Sequence, residues 1–159
     1  MRRSVPGSDA RRSAGFTLVE LLIVVALIAV ASGIVSLALR DPAATRLERE
    51  AARLSALLEA ARAESRASGV AARWEPRKEQ QGEPGFRFVG LPDNVELPGE
   101  WLAEGVRAEV ANARAVLLGP EPLIPAQRIL LRLDRQYLVL GTDGLGPFTV
   151  VETGTEALP

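Results

Sequence analysis

Residues Leu21–Leu39 form a run of 19 residues without a single charge. As a helix rising about 1.5 Å per residue, the run would extend roughly 28 Å, close to the ~30 Å hydrocarbon core of a bilayer. Arg2, Arg3, Arg11 and Arg12 precede it against one acid, Asp9. The positive-inside rule therefore places the N-terminus in the cytoplasm and the chain beyond Arg40 on the far side. The run opens on a carboxylate, Glu20. An acidic group costs about 2.5–3.5 kcal/mol at the centre of an inserted helix. Near the end the cost is smaller, because the carboxylate reaches the interface and meets the positive end of the helix.

Three readings of this segment compete. A secretory signal peptide would be removed in full; Ala29-Val30-Ala31 supplies an A-x-A-like site. A plain anchor would be kept. Neither gives Glu20 a purpose. The third reading rests on the string "GFTLVELL". It resembles the processing site of type IV prepilins and type II secretion pseudopilins. That family has a basic leader ending in glycine, a phenylalanine that opens the mature chain, and glutamate at the fifth mature position. Here these are Gly15, Phe16 and Glu20.

The resemblance implies that residues 1–15 are a leader and that a prepilin peptidase cuts between Gly15 and Phe16. It also implies that the same enzyme methylates the new Phe16 amine. Residues 16–39 then stay as a transmembrane segment in the inner membrane and later enter the filament core. In a filament, the Phe16 ammonium of one subunit comes near the Glu20 carboxylate of its neighbour. Each charge is costly alone in apolar surroundings, and pairing offsets most of that cost.

Helical patterning continues past an Asp41-Pro42 interruption, where a proline inside a helix would produce a kink. Leu47, Ala51, Leu54, Leu57, Leu58 and Ala61 recur at spacings of three and four, an apolar face. Arg46, Glu48, Arg49, Arg53, Glu59 and Arg62 read as the solvent side, with Arg46–Glu50 and Glu59–Arg62 within pairing distance. Gly69 is the expected stop. A continuous helix from Phe16 to Ser68 would be roughly 80 Å long. Its apolar half (16–39) suits membrane or filament core, and its amphipathic half (40–69) suits packing on a globular body.

From residue 70 to 159 the period shifts toward two. Expected strands are Val70–Trp74, Phe86–Val89, Val106–Val110, Ala115–Leu118, Ile129–Leu133, Tyr137–Leu140 and Phe148–Val151. Glu75–Gly85, Gly90–Gly99 and Leu118–Ala126 read as loops. Asp134-Arg135-Gln136 and the "GTDGLGP" turn (Gly141–Pro147) join the last strands into an antiparallel meander. The fold class is α+β, a long N-terminal helix packed on a C-terminal antiparallel body of two sheets. The helix-then-strands order, with "GPEPLIP" and "TDGLGPF", resembles minor pseudopilin H of type II secretion, the GspH/FimT family. The resemblance implies a subunit near the pseudopilus tip, with major and minor pseudopilins, exoprotein and the outer-membrane secretin as partners. The alternative within the family is a FimT-like minor pilin of a type IV pilus that binds DNA.

Charge bears on that alternative. The first 15 residues carry a net +3, leaving −4 for the rest of a chain whose net charge is −1. An acidic body is a poor general ligand for phosphates. Arg128, Arg132 and Arg135 cluster, but Asp134 lies among them, and the group reads as a solvated strand face. The chain has no cysteine or histidine, and no serine follows Ser68. The body therefore lacks the usual nucleophiles and the usual base, and the expectation is a structural subunit without cofactor, metal or catalytic residue. Asp143 in "TDGLG" invites a calcium site, but calcium wants six to eight oxygens and Asp-Gly is a common turn pair, so the turn is preferred. Trp74 and Trp101 read as core-edge residues before interface anchors.

Overall fold

The computed structural model describes residues 17–38, 41–77 and 85–156, and the side chains of all of these except 33–38. Two compact units form, divided between Arg40 and Asp41.

The described part of the first unit is a helix, α1 (Leu18–Ala38). It has no polar face, and every described side chain on it is exposed. Among the described residues no helix is long and apolar enough to cross a membrane. The expected span of 16–39 includes Phe16, Leu39 and the side chains of 33–38, which lie outside the described residues.

The second unit begins with α2 (Pro42–Ser68). The expectation of one continuous helix through Asp41-Pro42 is corrected here. Asp41 is extended, with φ −61° and ψ 119°, and its Oδ1 accepts the Ala43 N–H at 2.9 Å. Asp41 is thus an N-cap and Pro42 occupies the first helical position, where its missing N–H costs nothing. The same dipeptide that would kink a helix interior starts one instead. The other carboxylate oxygen accepts from Gln136 Nε2 at 2.8 Å, which ties the helix start to the sheet. The expected stop is observed: Gly69 closes α2 in the left-handed conformation (φ 69°) that glycine adopts without steric cost.

Among the described residues seven strands follow, each overlapping an expected one: β1 (Arg73–Pro76), which starts three residues later than expected, β2 (Phe86–Val89), β3 (Arg107–Val110), β4 (Val116–Leu117), β5 (Gln127–Leu133), β6 (Gln136–Thr142) and β7 (Thr149–Thr155), which runs four residues further than expected. They form two antiparallel sheets, ordered β2-β1-β4 and β3-β5-β6-β7. The C-terminal meander is β5-β6-β7. Its first hairpin turns in two residues, Asp134-Arg135, with Asp134 at φ 53°, a conformation aspartate tolerates better than most. Residues 78–84, most of the first expected loop, lie outside the described residues.

Alternation decides which face each strand buries. Ile129, Leu131 and Leu133 of β5 point inward and pair with Leu140, Leu138 and Gln136 of β6. Against them lies the α2 face of Leu47, Ala51, Leu54, Leu58 and Ala61, all buried. Leu57, expected on that face, is half-buried at its margin. Trp74, Phe86, Val116, Leu118 and Phe148 belong to the same core. Each fully buried side chain of this size contributes about 1.5–3 kcal/mol of transfer free energy. The Gln127 side chain links the two sheets. The Gln127 amide accepts the Leu117 N–H at 2.7 Å and donates to the Leu117 carbonyl at 2.9 Å, closing the edge of β4.

Candidate functional site

The processing segment is the first candidate. Gly15 and Phe16 lie outside the described residues, and Glu20 stands in the first turn of α1. Thr17 caps that turn. Its Oγ1 accepts the Glu20 N–H at 3.2 Å, and its carbonyl accepts the Leu21 N–H at 3.2 Å. A hydroxyl at the cap with glutamate three positions on is the capping-box spacing. The spacing signal for this cap is the string "TLVE", in which Glu20 serves both the cap spacing and the expected pairing with a neighbour's amine. The Glu20 side chain is exposed, and among the described residues its carboxylate has no hydrogen bond or ion pair. The turn is therefore held by Thr17, which leaves the carboxylate available.

Two charges of α2 depart from expectation, Arg62 from the solvent face and Glu50 from its pairing with Arg46. Glu50 is buried, and its Oε1 accepts the N–H groups of Leu102 at 2.6 Å and Ala103 at 2.7 Å. The expected Arg46–Glu50 pair is replaced by Arg53, 3.7 Å from Glu50 Oε2, which also donates to the Glu100 carbonyl at 2.8 Å. Arg62, expected to face solvent, is buried and donates to three main-chain carbonyls, those of Gly144, Gly146 and Pro122. The expected Glu59–Arg62 pair is present at 3.9 Å. Two smaller anchors accompany them: Ser55 Oγ donates to the Phe148 carbonyl and Ser65 Oγ to the Val70 carbonyl. Together they fasten α2 to the loops around the sheets.

The residues weighed from sequence fall as follows. Asp143 Oδ1 accepts the N–H groups of Leu145 and Gly146, both at 2.9 Å, which is the turn role. Those bonds, Gly146 first and Leu145 second, hold its carboxyl below the usual carboxylate range. Among the described residues no group of three or more acids could hold a metal. Trp74 is wholly buried in β1. Trp101 is half-buried with its ring edge-on to Phe86, centroids 4.6 Å apart. Arg128 and Arg132 share the outer face of β5, as their spacing requires. Arg132 lies 3.8 Å from Glu109, and Arg135 donates to the Glu156 carbonyl at 3.5 Å, so two of the three clustered arginines have acceptors within the body.

Residues 10–36 match the family model described as the prokaryotic N-terminal methylation motif. No curated protein and no solved structure matches the chain. The segment thus carries a type IV pilin-like prepilin signal, which supports a pilin-like subunit that is processed by prepilin peptidase and assembles with others of its kind. The match stops at residue 36 and does not reach the body. The helix followed by two antiparallel sheets is consistent with a pilin-like fold.

Proposed function

We propose that the chain is a minor pseudopilin of a bacterial type II secretion system, a structural subunit near the tip of the periplasmic pseudopilus. The observation that carries the reading is the methylation motif over residues 10–36, with Glu20 uncommitted in a turn that Thr17 already caps. The mechanism is assembly. The leader arginines hold residues 1–15 in the cytoplasm, and the body lies in the periplasm. Cleavage after Gly15 creates an ammonium on Phe16, and methylation retains its charge. Glu20 supplies the opposite charge when the helix leaves the lipid and docks in the filament. The exposed apolar surface of α1 is covered first by lipid and then by the helices of neighbouring pseudopilins.

Deletion of the gene in its host tests the placement. The expected result is exported enzymes retained in the periplasm, with secretion restored by the full chain and DNA uptake unchanged. Loss of DNA uptake or surface motility with secretion intact would overturn the reading in favour of the FimT-like pilin.

A further inference from the structure

The "TDGLG" turn, considered above for calcium, already has a cation beside it. Arg62 reaches from α2 to two loops, residues 119–126 and 142–148. Its Nη2 donates to the Gly144 carbonyl at 2.6 Å and the Pro122 carbonyl at 3.3 Å, and its Nη1 donates to the Gly146 carbonyl at 3.0 Å. The Arg62 side chain is only 2% exposed. Its nearest carboxylate, Glu59, stands 3.9 Å away and makes no hydrogen bond to it. The hydrogen bonds of the guanidinium therefore go to carbonyl oxygens, while the carboxylates of Glu59 and Asp143 act on it through charge alone.

The loops are also tied to each other. The Ile124 N–H donates to the Gly144 carbonyl at 3.4 Å. Gly144 has φ 97°, and a Cβ there would lie 1.9 Å from the Ile124 carbonyl oxygen, so the close approach requires glycine. Thr142 Oγ1 donates to the Gly146 carbonyl at 2.8 Å and accepts the Gly144 N–H at 3.0 Å. Each loop carries an exposed leucine next to a gripped carbonyl: Leu123 follows Pro122, and Leu145 lies between Gly144 and Gly146.

Carbonyl oxygens that converge repel one another through their dipoles, and such clusters are ordinarily held by a hard cation with oxygen ligands. We propose that Arg62 is the built-in cation of this loop pair. Its guanidinium gathers the carbonyls that a metal ion would otherwise gather, and so fixes the positions of Leu123 and Leu145 without metal. Charge and fork geometry are both needed. A planar guanidinium can donate in several directions at once, whereas an ammonium is a point charge and an amide has no charge.

The test uses the full chain in detergent, read by thermal unfolding and by hydrogen exchange of residues 119–126 and 142–148. Neither calcium nor a chelator should shift the wild-type midpoint. Arg62→Ala should lower it by roughly 10 °C or more and release protection in both loops together. Millimolar methylguanidinium should return part of that protection, and urea at the same concentration should not. Should Arg62→Ala fail to fold, Arg62→Lys and Arg62→Gln decide the matter, with the loops better protected in the lysine variant. A chelator-sensitive wild type, equal rescue by urea, or equal protection in the lysine and glutamine variants would overturn the proposal.

Discussion

Glu20→Ala should leave cleavage after Gly15 and methylation of Phe16 intact, and reduce incorporation into filaments by roughly two to three and a half orders of magnitude. The separation follows from the first turn of α1. The Glu20 N–H is held by the Thr17 hydroxyl, so the turn keeps its cap when the carboxylate is lost. What disappears is the partner for an ammonium entering an apolar interface. Leaving one member of such a pair unpaired costs about 3–5 kcal/mol, and every 1.4 kcal/mol is about tenfold in an equilibrium. Glu20→Gln keeps the shape and loses the charge, so it should fail nearly as badly. Immunoblots of membrane and sheared-filament fractions give the partition directly. Normal incorporation of both variants would end the pairing role.

Glu50→Ala should destabilise the body by about 3–4 kcal/mol. Two N–H groups, of Leu102 and Ala103, converge on one buried carboxylate oxygen. Hydrogen bonds to a charged group contribute about 1.5–3 kcal/mol each, and alanine leaves both donors unsatisfied. Among the described residues the hydrogen bond left between the loop from Glu100 to Ala103 and α2 is then the one from Arg53 to the Glu100 carbonyl. Trp101 sits within that loop and would lose its edge-on contact with Phe86. Glu50→Gln keeps a carbonyl where Oε1 stands and gives up only the charge, at about 1–2 kcal/mol. Thermal unfolding of the three proteins should rank wild type above Glu50→Gln above Glu50→Ala. Equal midpoints would show that the loop is held by other contacts.

Glu50 and Arg62 also mark where reading the sequence stops. Periodicity located α2, its stop at Gly69 and the inward face of β5, because burial of apolar side chains repeats at the period of the element. The same rule sends charges to solvent, and so it misplaced Arg62. Its acceptors are 60 to 84 residues away in sequence, in two turns whose approach depends on the packing of the sheets. No local pattern carries that information. Asp41-Pro42 failed differently. The dipeptide signals a kink inside a helix and a cap at its start, and only the extended backbone at Asp41 distinguishes the two. In the candidate site, Glu20 was legible because its neighbours Gly15 and Phe16 form a contiguous string. The cap by Thr17 also has a local signal, a hydroxyl three positions before Glu20, but it overlaps the processing string and is masked by it.

In the proposed assembly the apolar segment survives maturation with a new amine at Phe16. Mass spectrometry of the N-terminal peptide, from protein produced alongside a prepilin peptidase, reads this out. The predicted product begins at N-methyl-Phe16 and still contains Glu20 and the whole of α1. A mature chain beginning at Ser32, or an uncleaved chain beginning at Met1 in the presence of active peptidase, would contradict it.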